Sequence, residues 1–323
     1  AAFIAADRAV AIACGTAYYA AFTAKYWFEQ AARLSLETDI ASEFRYRQPV
    51  LPQSGPALFI SQSGETADTL AALRYCRENG TTAIAIVNVP ESSIAREAGA
   101  IVPTHAGVEI GVASTKAFTA QLSVLAVMAL AAARERGHLL PGDEVTAVKN
   151  LLALPRKVTD ALDAQEQIAE IAKTLTQAKD VLFLGRGRYY PLALEVALKL
   201  KEVSYIHAEG YAAGELKHGP IALIEKDLPV VVVAPKDELF DKTISNVEEV
   251  RARGARIILI SDDAGIAAAG NRADHVIRLP DGDDFTLPIL AAIPLQLLAY
   301  HVAVAKGTDV DQPRNLAKSV TVE

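Results

Sequence analysis

The sequence predicts an α/β protein with parallel sheets, built from two similar halves. Short apolar runs typical of buried strands alternate with helical patterns along the chain, as in proteins whose helices cover parallel sheets. The runs are AVAIA at 9–13, ALFI at 57–60, AIAIV at 83–87, VLFL at 181–184, VVVV at 230–233 and IILI at 257–260. Three runs lie in the first half and three in the second, so we expect one sheet in each half.

An internal repeat leads to the same conclusion. The matching positions are Gly15 with Gly187, Ala41–Phe44 with Ala213–Leu216, Gly80 with Gly254, and Gln121-Leu122 with Gln296-Leu297. Their offsets drift only from 172 to 175 residues along the chain. Chance matches would not keep this order, so we expect two duplicated domains of one fold.

A charged, helix-patterned stretch from Asp143 to Ala178 separates the two sets of strands. It predicts a pair of linker helices and contains the domain boundary. We therefore assign residues 1–150 to a first domain. Residues 151–323 contain the linker helices, the second domain and a C-terminal tail.

The charge and the cysteine content argue against several classes of protein. The 323 residues include 32 Lys and Arg against 39 Asp and Glu, a net charge of −7. This balance gives no electrostatic footprint for nucleic acid or for an anionic membrane surface. Two cysteines, Cys14 and Cys76, fit a reducing cytoplasm better than a disulfide framework. No CxxC motif or Cys/His cluster indicates a metal, and no cofactor is expected.

The longest stretch without charge, Phe285 to Ala305, is 21 residues long, which is enough to span a membrane. Pro288 and Pro294 interrupt this stretch and would end or kink a helix. We therefore expect a buried helix of a soluble protein and no membrane segment. The single methionine, Met128, indicates that the chain has lost its initiator or is a fragment, and the early first strand favours a fragment.

The segment LFISQSGETADTLAALRYCRENG predicts a strand, a hydroxyl-rich turn and an amphipathic helix. Ser61, Ser63 and Thr66 would offer hydroxyl donors to a phosphate, next to unpaired N–H groups and the positive end of the helix dipole. Ordinary helix capping by serine and threonine explains the same pattern equally well. A second hydroxyl cluster, Ser114-Thr115-Lys116, is ambiguous in the same way.

The second half differs in chemistry from the first. It has Ala234–Glu238 where the first half has the hydroxyl-rich turn. It also has Gly185-Arg186-Gly187 after a strand, as in a dinucleotide-binding protein. Tyr190 stands where the third glycine of that motif would be, and no acidic ribose partner is evident. A tight turn before a helix explains these glycines sufficiently.

Five segments give the chain a specific resemblance. They are CGT at 14–16, SQSGET at 61–66, EIGVASTKAFTAQ at 109–121, ALKLKEVSYIHAEGYAAGELKHGP at 197–220 and KGTDVDQPRNLAKSVTVE at 306–323. Together they resemble the isomerase part of the glutamine–fructose-6-phosphate aminotransferase family, also called glucosamine-6-phosphate synthases, over essentially the whole chain. SQSGET alone would mark only the broader sugar-isomerase (SIS) superfamily.

The resemblance implies two tandem, flavodoxin-like, doubly wound domains with parallel sheets, each an SIS domain. It also implies that the first domain binds fructose 6-phosphate. The positions it assigns to the phosphate are Ser61, Gln62, Ser63 and Thr66, and those it assigns to the sugar are Thr16, Val112, Ser114 and Ala317. Ala17 replaces the serine of the family's CGTS motif, which removes one hydroxyl near the phosphate.

The resemblance also assigns catalytic roles. Glu202 would move a proton between C1 and C2 of the sugar, whereas from the sequence alone it is an exposed helix glutamate paired with a lysine. His218 would open the sugar ring from the neighbouring subunit of a homodimer. From the sequence alone, without the resemblance, it is equally well a surface histidine that caps a helix end. Lys318 would form a Schiff base at C2, although a lysine in a polar tail is usually solvated. Lys199 would be an auxiliary group near the reacting hydroxyls.

The implied activity is that of a ketose/aldose isomerase in the cytoplasm. With ammonia from an N-terminal glutaminase domain, which this chain lacks, it would make glucosamine 6-phosphate from fructose 6-phosphate. Glucose 6-phosphate is a further expected ligand. The alternative is a non-catalytic SIS-type sugar-phosphate sensor. The chain has no DNA-binding segment and carries Glu202, His218 and Lys318 together, which argues against that alternative.

Overall fold

The computed structural model describes residues 2–321 and divides the chain into two compact units. The first unit comprises Ala1–Val148 with Ala317–Glu323, and the second comprises Lys149–Leu316. The sequence division placed the boundary at residue 150 and assigned the C-terminal tail to the second domain. In the structure the tail groups with the first unit, because its contacts are made there.

The first unit alternates strands and helices. Its strands are β1 (Arg8–Ala13), β2 (Ser35–Ile40), β3 (Ala57–Ser61), β4 (Ala83–Val87) and β5 (Ala100–Pro103). Its helices are α1 (Gly15–Gln30), α2 (Ala41–Phe44), α3 (Ala67–Glu78), α4 (Ser93–Glu97) and α5 (Lys116–Glu135). Helix α6 (Pro141–Leu162) contains the boundary between the units.

The second unit repeats this alternation. Its strands are β6 (Asp180–Gly185), β7 (His207–Ala212), β8 (Pro229–Val233), β9 (Arg256–Ser261) and β10 (His275–Arg278). Its helices are α7 (Gln165–Lys173), α8 (Tyr190–Ser204), α9 (Phe240–Arg251), α10 (Asp263–Ala269) and α11 (Leu287–Lys306), with 3₁₀ turns at Gly187–Tyr189, Ala213–His218 and Pro220–Leu223. Helices α6 and α7 confirm the predicted helix pair between Asp143 and Ala178.

Both sheets have the same strand order. The first is β2-β1-β3-β4-β5, and the second, read in the matching direction, is β7-β6-β8-β9-β10. All described strand pairs are parallel, with Val10 opposite Ala57 in the first sheet and Leu182 opposite Val230 in the second. This order is that of a flavodoxin-like doubly wound fold, so the predicted fold class is confirmed. The strand order reverses direction at one point in each sheet, between β1 and β3 in the first and between β6 and β8 in the second.

The repeat in the sequence corresponds to the repeat in the fold. Gly15 and Gly187 both follow the first strand of their sheet, with φ of +51° and +56°. Gly80 and Gly254 both follow a helix, with φ of +78° and +92°. Left-handed backbone of this kind favours glycine, which explains why these positions match in both halves.

The core of each unit lies between its sheet and its helices. In the first unit Phe59, Leu73 and Cys76 belong to one buried cluster, and burial raises the pKa of the Cys76 thiol to about 12. In the second unit Val232 and Phe240 belong to the corresponding cluster. The central strands are buried on both faces, as parallel sheets covered by helices require.

Two helices, α5 and α11, are long and apolar enough to cross a membrane by length and composition alone. Within the protein, 56% of the apolar window of α5 and 72% of that of α11 is buried, and a core helix passes the same test of length and composition. The expected buried helix is confirmed, although its prolines do not end it. Pro288 lies in the first turn of α11, where its missing N–H costs nothing, and the helix continues through Pro294.

Candidate functional site

The turn from Ser61 to Thr66 joins β3 to α3 and is tied together by its own side chains. The Oγ of Ser61, which is buried, accepts the N–H of Gly64 at 3.0 Å and lies 3.1 Å from the Oγ1 of Thr66. The Oγ of Ser63 accepts the N–H of Glu65 at 3.2 Å. These bonds fix the hydroxyls at the carboxyl end of the sheet, beside the β1–β3 crevice where doubly wound folds bind ligands.

Glycine is required at position 64. Its φ is +65°, and a Cβ added there would lie 1.9 Å from the Oγ of Ser92. The carboxylate of Glu65 accepts the N–H of Ser93 at 2.7 Å, which ties the turn to α4. The turn is therefore held from two sides without a positively charged side chain.

Helix capping does not explain the hydroxyl of Thr66. Thr66 is the N-cap residue of α3, yet its side chain makes no capping hydrogen bond. The N–H of Ala67, the first residue of α3, is instead bound by the backbone carbonyl of Val320, at 3.0 Å. The C-terminal tail therefore contacts the start of α3, next to the hydroxyl-rich turn.

The same tail brings Lys318 to the loop between β5 and α5. Its Nζ donates to the carbonyl of Gly111 at 2.7 Å and to the Oε2 of Glu109 at 3.1 Å. Val112 and Ser114, both half-buried, lie in this loop, and Ala317 precedes the lysine. The first unit thus brings together the predicted phosphate residues, two predicted sugar residues and the predicted Schiff-base lysine.

Glu109 was not among the residues predicted from the sequence. Its side chain is 4% exposed, and its Oε1 accepts the N–H groups of Thr115 and Ala117 at 2.8 and 3.2 Å. Burial by itself would raise the pKa of Glu109, but these two N–H groups and Lys318 outweigh it, and the pKa is lowered. The carboxylate therefore stays charged while buried, and it caps α5.

The turn after β1 carries Thr16, which is half-buried, and Ala17, which is buried. The Sγ of Cys14 lies 3.9 Å from the Oγ1 of Thr69 on α3, and burial raises the pKa of this thiol. The turn adjoins the crevice from the β1 side. Both cysteines are free.

The second unit carries a buried charge cluster on one face of α8. The Nζ of Lys199 lies 2.5 Å from the Oε2 of Glu202 and 3.6 Å from the Oε1 of Glu195. Burial by itself would lower the pKa of Lys199, but the two carboxylates outweigh it and raise the pKa. Glu202 pairs with a lysine, as its simpler interpretation assumed, but its side chain is only 19% exposed.

Glu195 was also missed, although the sequence contains a signal for it. Glu195, Lys199 and Glu202 follow the spacing i, i+4, i+7, which places three side chains on one helix face. An alternating carboxylate–ammonium–carboxylate row on the mostly apolar face of a helix indicates a buried cluster.

His218 lies on a different element from Glu202. It ends the 3₁₀ turn Ala213–His218, before Gly219, whose φ is +140°. The side chain is exposed. The loop position predicted from the flanking glycines is therefore confirmed, and the imidazole faces away from the core of its own unit.

The crevice of the second unit contains ion pairs instead of a hydroxyl-rich turn. Arg188, which is 3% exposed, lies 2.5 Å from the carboxylate of Asp284 and 3.1 Å from that of Glu238. A Cβ added to Gly185 would lie 2.1 Å from the carbonyl of Tyr189, so this glycine permits a tight turn. Among residues 2–321, no group of three or more His, Cys, Asp or Glu side chains is arranged to hold a metal.

Comparison with known proteins identifies both halves as related to one family. The family model "SIS domain" matches residues 2–131 and 174–306. A curated relative from Bradyrhizobium diazoefficiens, glutamine–fructose-6-phosphate aminotransferase [isomerizing], is 60% identical over 96% of this chain. The protein of the same name from Brucella abortus is 59% identical over 98%. The chain spans about half the length of these relatives, 51% and 52%.

Solved structures agree with this result. The C-terminal domain of glucosamine-fructose-6-phosphate aminotransferase from Francisella tularensis matches with a TM-score of 0.93 and 47% identity, over 96% of this chain and 87% of that one. A glucosamine-6-phosphate deaminase from Thermotoga maritima matches with a TM-score of 0.78 over 97% of this chain and 90% of that one. Its identity of 24% establishes the shared fold alone.

The charge of Glu109 is expected to stabilise the first unit in a pH-dependent way. At pH 7, Glu109→Gln should lower the free energy of unfolding by about 1.5–3 kcal/mol, the range for hydrogen bonds to charged groups. The pKa of Glu109 is lower in the folded chain than its ordinary 4.5. Its contribution is therefore complete above pH 4.5 and is lost as the pH falls through the folded value.

Denaturant unfolding of both chains at pH 7 and at decreasing pH measures this effect. The difference between parent and variant should shrink on acidification. The control Glu135→Gln removes an exposed carboxylate paired with Arg134, which should change stability by about 0–1 kcal/mol. A difference that is the same at every pH would show that the charge of Glu109 does not contribute.

Proposed function

The chain belongs to the SIS domain family and to the family of the C-terminal domain of glucosamine-fructose-6-phosphate aminotransferase, and we propose that it converts fructose 6-phosphate and ammonia to glucosamine 6-phosphate. In this proposal it is the ketose/aldose isomerase part of a longer enzyme, whose glutaminase domain supplies the ammonia. One observation carries the proposal. Within a single unit, the C-terminal tail brings Lys318 and Val320 to the loops beside the hydroxyl-rich turn.

The first step is binding of the sugar phosphate in the first unit. Ser61, Gln62, Ser63 and Thr66 hold the phosphate, because a dianion is stabilised by hydroxyl donors at the positive end of α3. Thr16, Val112, Ser114 and the backbone of Ala317 contact the sugar. The hydroxyl missing at Ala17 removes one auxiliary contact and leaves the turn itself unchanged.

The second step is opening of the sugar ring, which requires a group that accepts and returns a hydroxyl proton. His218 takes this role, because a ring nitrogen of imidazole can accept a proton and return it. Its exposure supports a further part of the proposal, that it acts in the site of the partner chain of a homodimer. The unit that carries out catalysis is then the dimer.

The third step is proton transfer between C1 and C2. A single carboxylate can serve both carbons, and Glu202 is suited to this because it is largely shielded from water and paired with a buried lysine. Lys199 keeps its charge while buried, and it stabilises negative charge that develops on the reacting hydroxyls. Lys318 forms a Schiff base with the open-chain ketose.

The expected products and ligands are glucosamine 6-phosphate and, without ammonia, glucose 6-phosphate. We place the protein in the cytoplasm, in agreement with its two free thiols. A sugar-phosphate sensor would bind these ligands without turnover, so turnover by the chain distinguishes the two functions.

The phosphate site is tested by replacing both Ser61 and Ser63 with alanine. Each hydrogen bond to a charged group contributes about 1.5–3 kcal/mol, so affinity for fructose 6-phosphate should fall by at least roughly tenfold. Calorimetry measures this affinity. The control is Ser123→Ala, whose hydroxyl donates to the carbonyl of Thr119 within α5. Unchanged affinity in the double variant would place the phosphate elsewhere.

The role of Glu202 is tested by Glu202→Gln, since an amide cannot accept the proton. Interconversion of fructose and glucose 6-phosphates without ammonia should fall by about 10²–10⁴-fold, while reduction with borohydride still traps the ketose on Lys318. The matched control is Glu170→Gln, which removes an exposed helix carboxylate 2.6 Å from a lysine three residues away. Near-normal interconversion by Glu202→Gln would remove this residue from the mechanism.

The shared site is tested by mixing two inactive chains, His218→Ala and Glu202→Gln. After subunit exchange, half of the dimers are mixed and each contains one intact site, so roughly a quarter of the parent activity should return. Mass spectrometry of the intact dimers monitors the exchange. If mixed dimers form and no activity appears, the histidine does not act across the dimer.

A further inference from the structure

Glu109 is a buried carboxylate to which the proposed mechanism assigns no role. One of its oxygens faces the start of α5, and the other faces the Nζ of Lys318 at 3.1 Å. The two N–H groups at the start of α5 need only an acceptor, which the amide oxygen of a glutamine would also provide. The negative charge is therefore required by the remaining partner, Lys318.

The surroundings of Lys318 fix the direction of its amine. Its second contact is the carbonyl of Gly111, two residues beyond Glu109 in the same loop. Because Glu109 is held by the backbone N–H groups of Thr115 and Ala117, the position of the amine is set by the loop that carries Glu109 and by the start of α5. The tail itself is more exposed, with Ala317 and Val320 open to solvent.

The chemistry of a Schiff base keeps one positive charge at this nitrogen. The ammonium releases a proton, its nitrogen bonds to the carbonyl carbon of the ketose, and the C–O bond then breaks with loss of water. Written overall, ammonium and ketone give protonated imine and water, so three hydrogens and one positive charge are conserved. A carboxylate beside the nitrogen therefore stabilises the protonated imine relative to the neutral amine that attacks the carbonyl.

We propose that Glu109 is the positioning residue for Lys318, whose carboxylate holds the amine and is the counter-ion of the protonated imine formed with the ketose phosphate. This inference rests on the proposed role of Lys318 as the Schiff-base former. The protonated form matters because its carbon is electrophilic: ammonia bonds to C2, and the bond from C2 to the lysine nitrogen then breaks, which frees the amine and leaves the imine of ammonia for proton transfer. Glu109 thus supports the entry of ammonia without contacting the substrate.

The experiment compares the parent chain with Glu109→Gln and Glu109→Asp. Each is incubated with fructose 6-phosphate and borohydride, and mass spectrometry quantifies the sugar adduct on Lys318. The kcat and KM of glucosamine 6-phosphate formation from fructose 6-phosphate and ammonia are measured in parallel. The control is Glu97→Gln, which removes a carboxylate of the same unit that pairs with Arg74 at 2.6 Å.

Loss of a charged hydrogen bond corresponds to roughly 10- to 100-fold, and we expect Glu109→Gln to lose this much adduct and kcat. Its KM should stay within about twofold, because the phosphate turn is unchanged. Glu109→Asp keeps the charge and should recover most of the adduct, whereas a role in packing alone would make the shorter side chain at least as damaging. Glu97→Gln should match the parent.

Parent levels of adduct and kcat in Glu109→Gln would overturn the inference and leave the proposed function intact. If the parent converts fructose 6-phosphate without forming an adduct on Lys318, both the Schiff-base role of Lys318 and the counter-ion role of Glu109 are contradicted. The proposed isomerase function is not affected by that result. Should Glu109→Gln not fold, Glu109→Asp replaces it: adduct within roughly tenfold of the parent supports the inference, and a larger loss in the folded variant overturns it.

Discussion

Parallel pairing of buried strands is the constraint on which the rest of this structure depends. A parallel strand must return through a crossover, and here the crossovers cover both faces of each sheet with helices. All carboxyl ends of the strands then meet at one edge, so the turns after β1, β3 and β5 become neighbours. In the first unit these turns carry the hydroxyls, the glycine turn and the acidic loop that make up the candidate site.

The same constraint explains which strands could be predicted from the sequence. Every predicted strand is central in its sheet and buried on both faces, so its sequence is a continuous apolar run. The four missed strands, β2, β5, β7 and β10, are all edge strands. β2 reads SLETDI and has a single buried residue, so it lacks that run. An edge strand is identified by its pairing with a neighbouring strand, and the sequence pattern alone does not show that pairing.

The candidate site residues also divide into those that the sequence reveals and those that it does not. The hydroxyl-rich turn and the α8 face could be inferred from local spacing, and the resemblance of whole segments supplied roles for Glu202, His218 and Lys318. Glu109 could not be found in this way, because its partner Lys318 lies 209 residues along the chain. The two residues come into contact only in the folded chain. Its pairing also explains how a buried carboxylate is tolerated, since every oxygen has a donor.

The grouping of the tail with the first unit makes that unit discontinuous in the chain. In terms of topology, the second unit is an insertion into the first, between Val148 and Ala317. A ribosome therefore completes the first unit last, although it begins it first. Until the tail is synthesised, solvent is the partner of the α3 N–H group that Val320 later binds. The same holds for the carboxylate that Lys318 later binds. Assembly of the tail site thus requires that the whole second unit has already been synthesised.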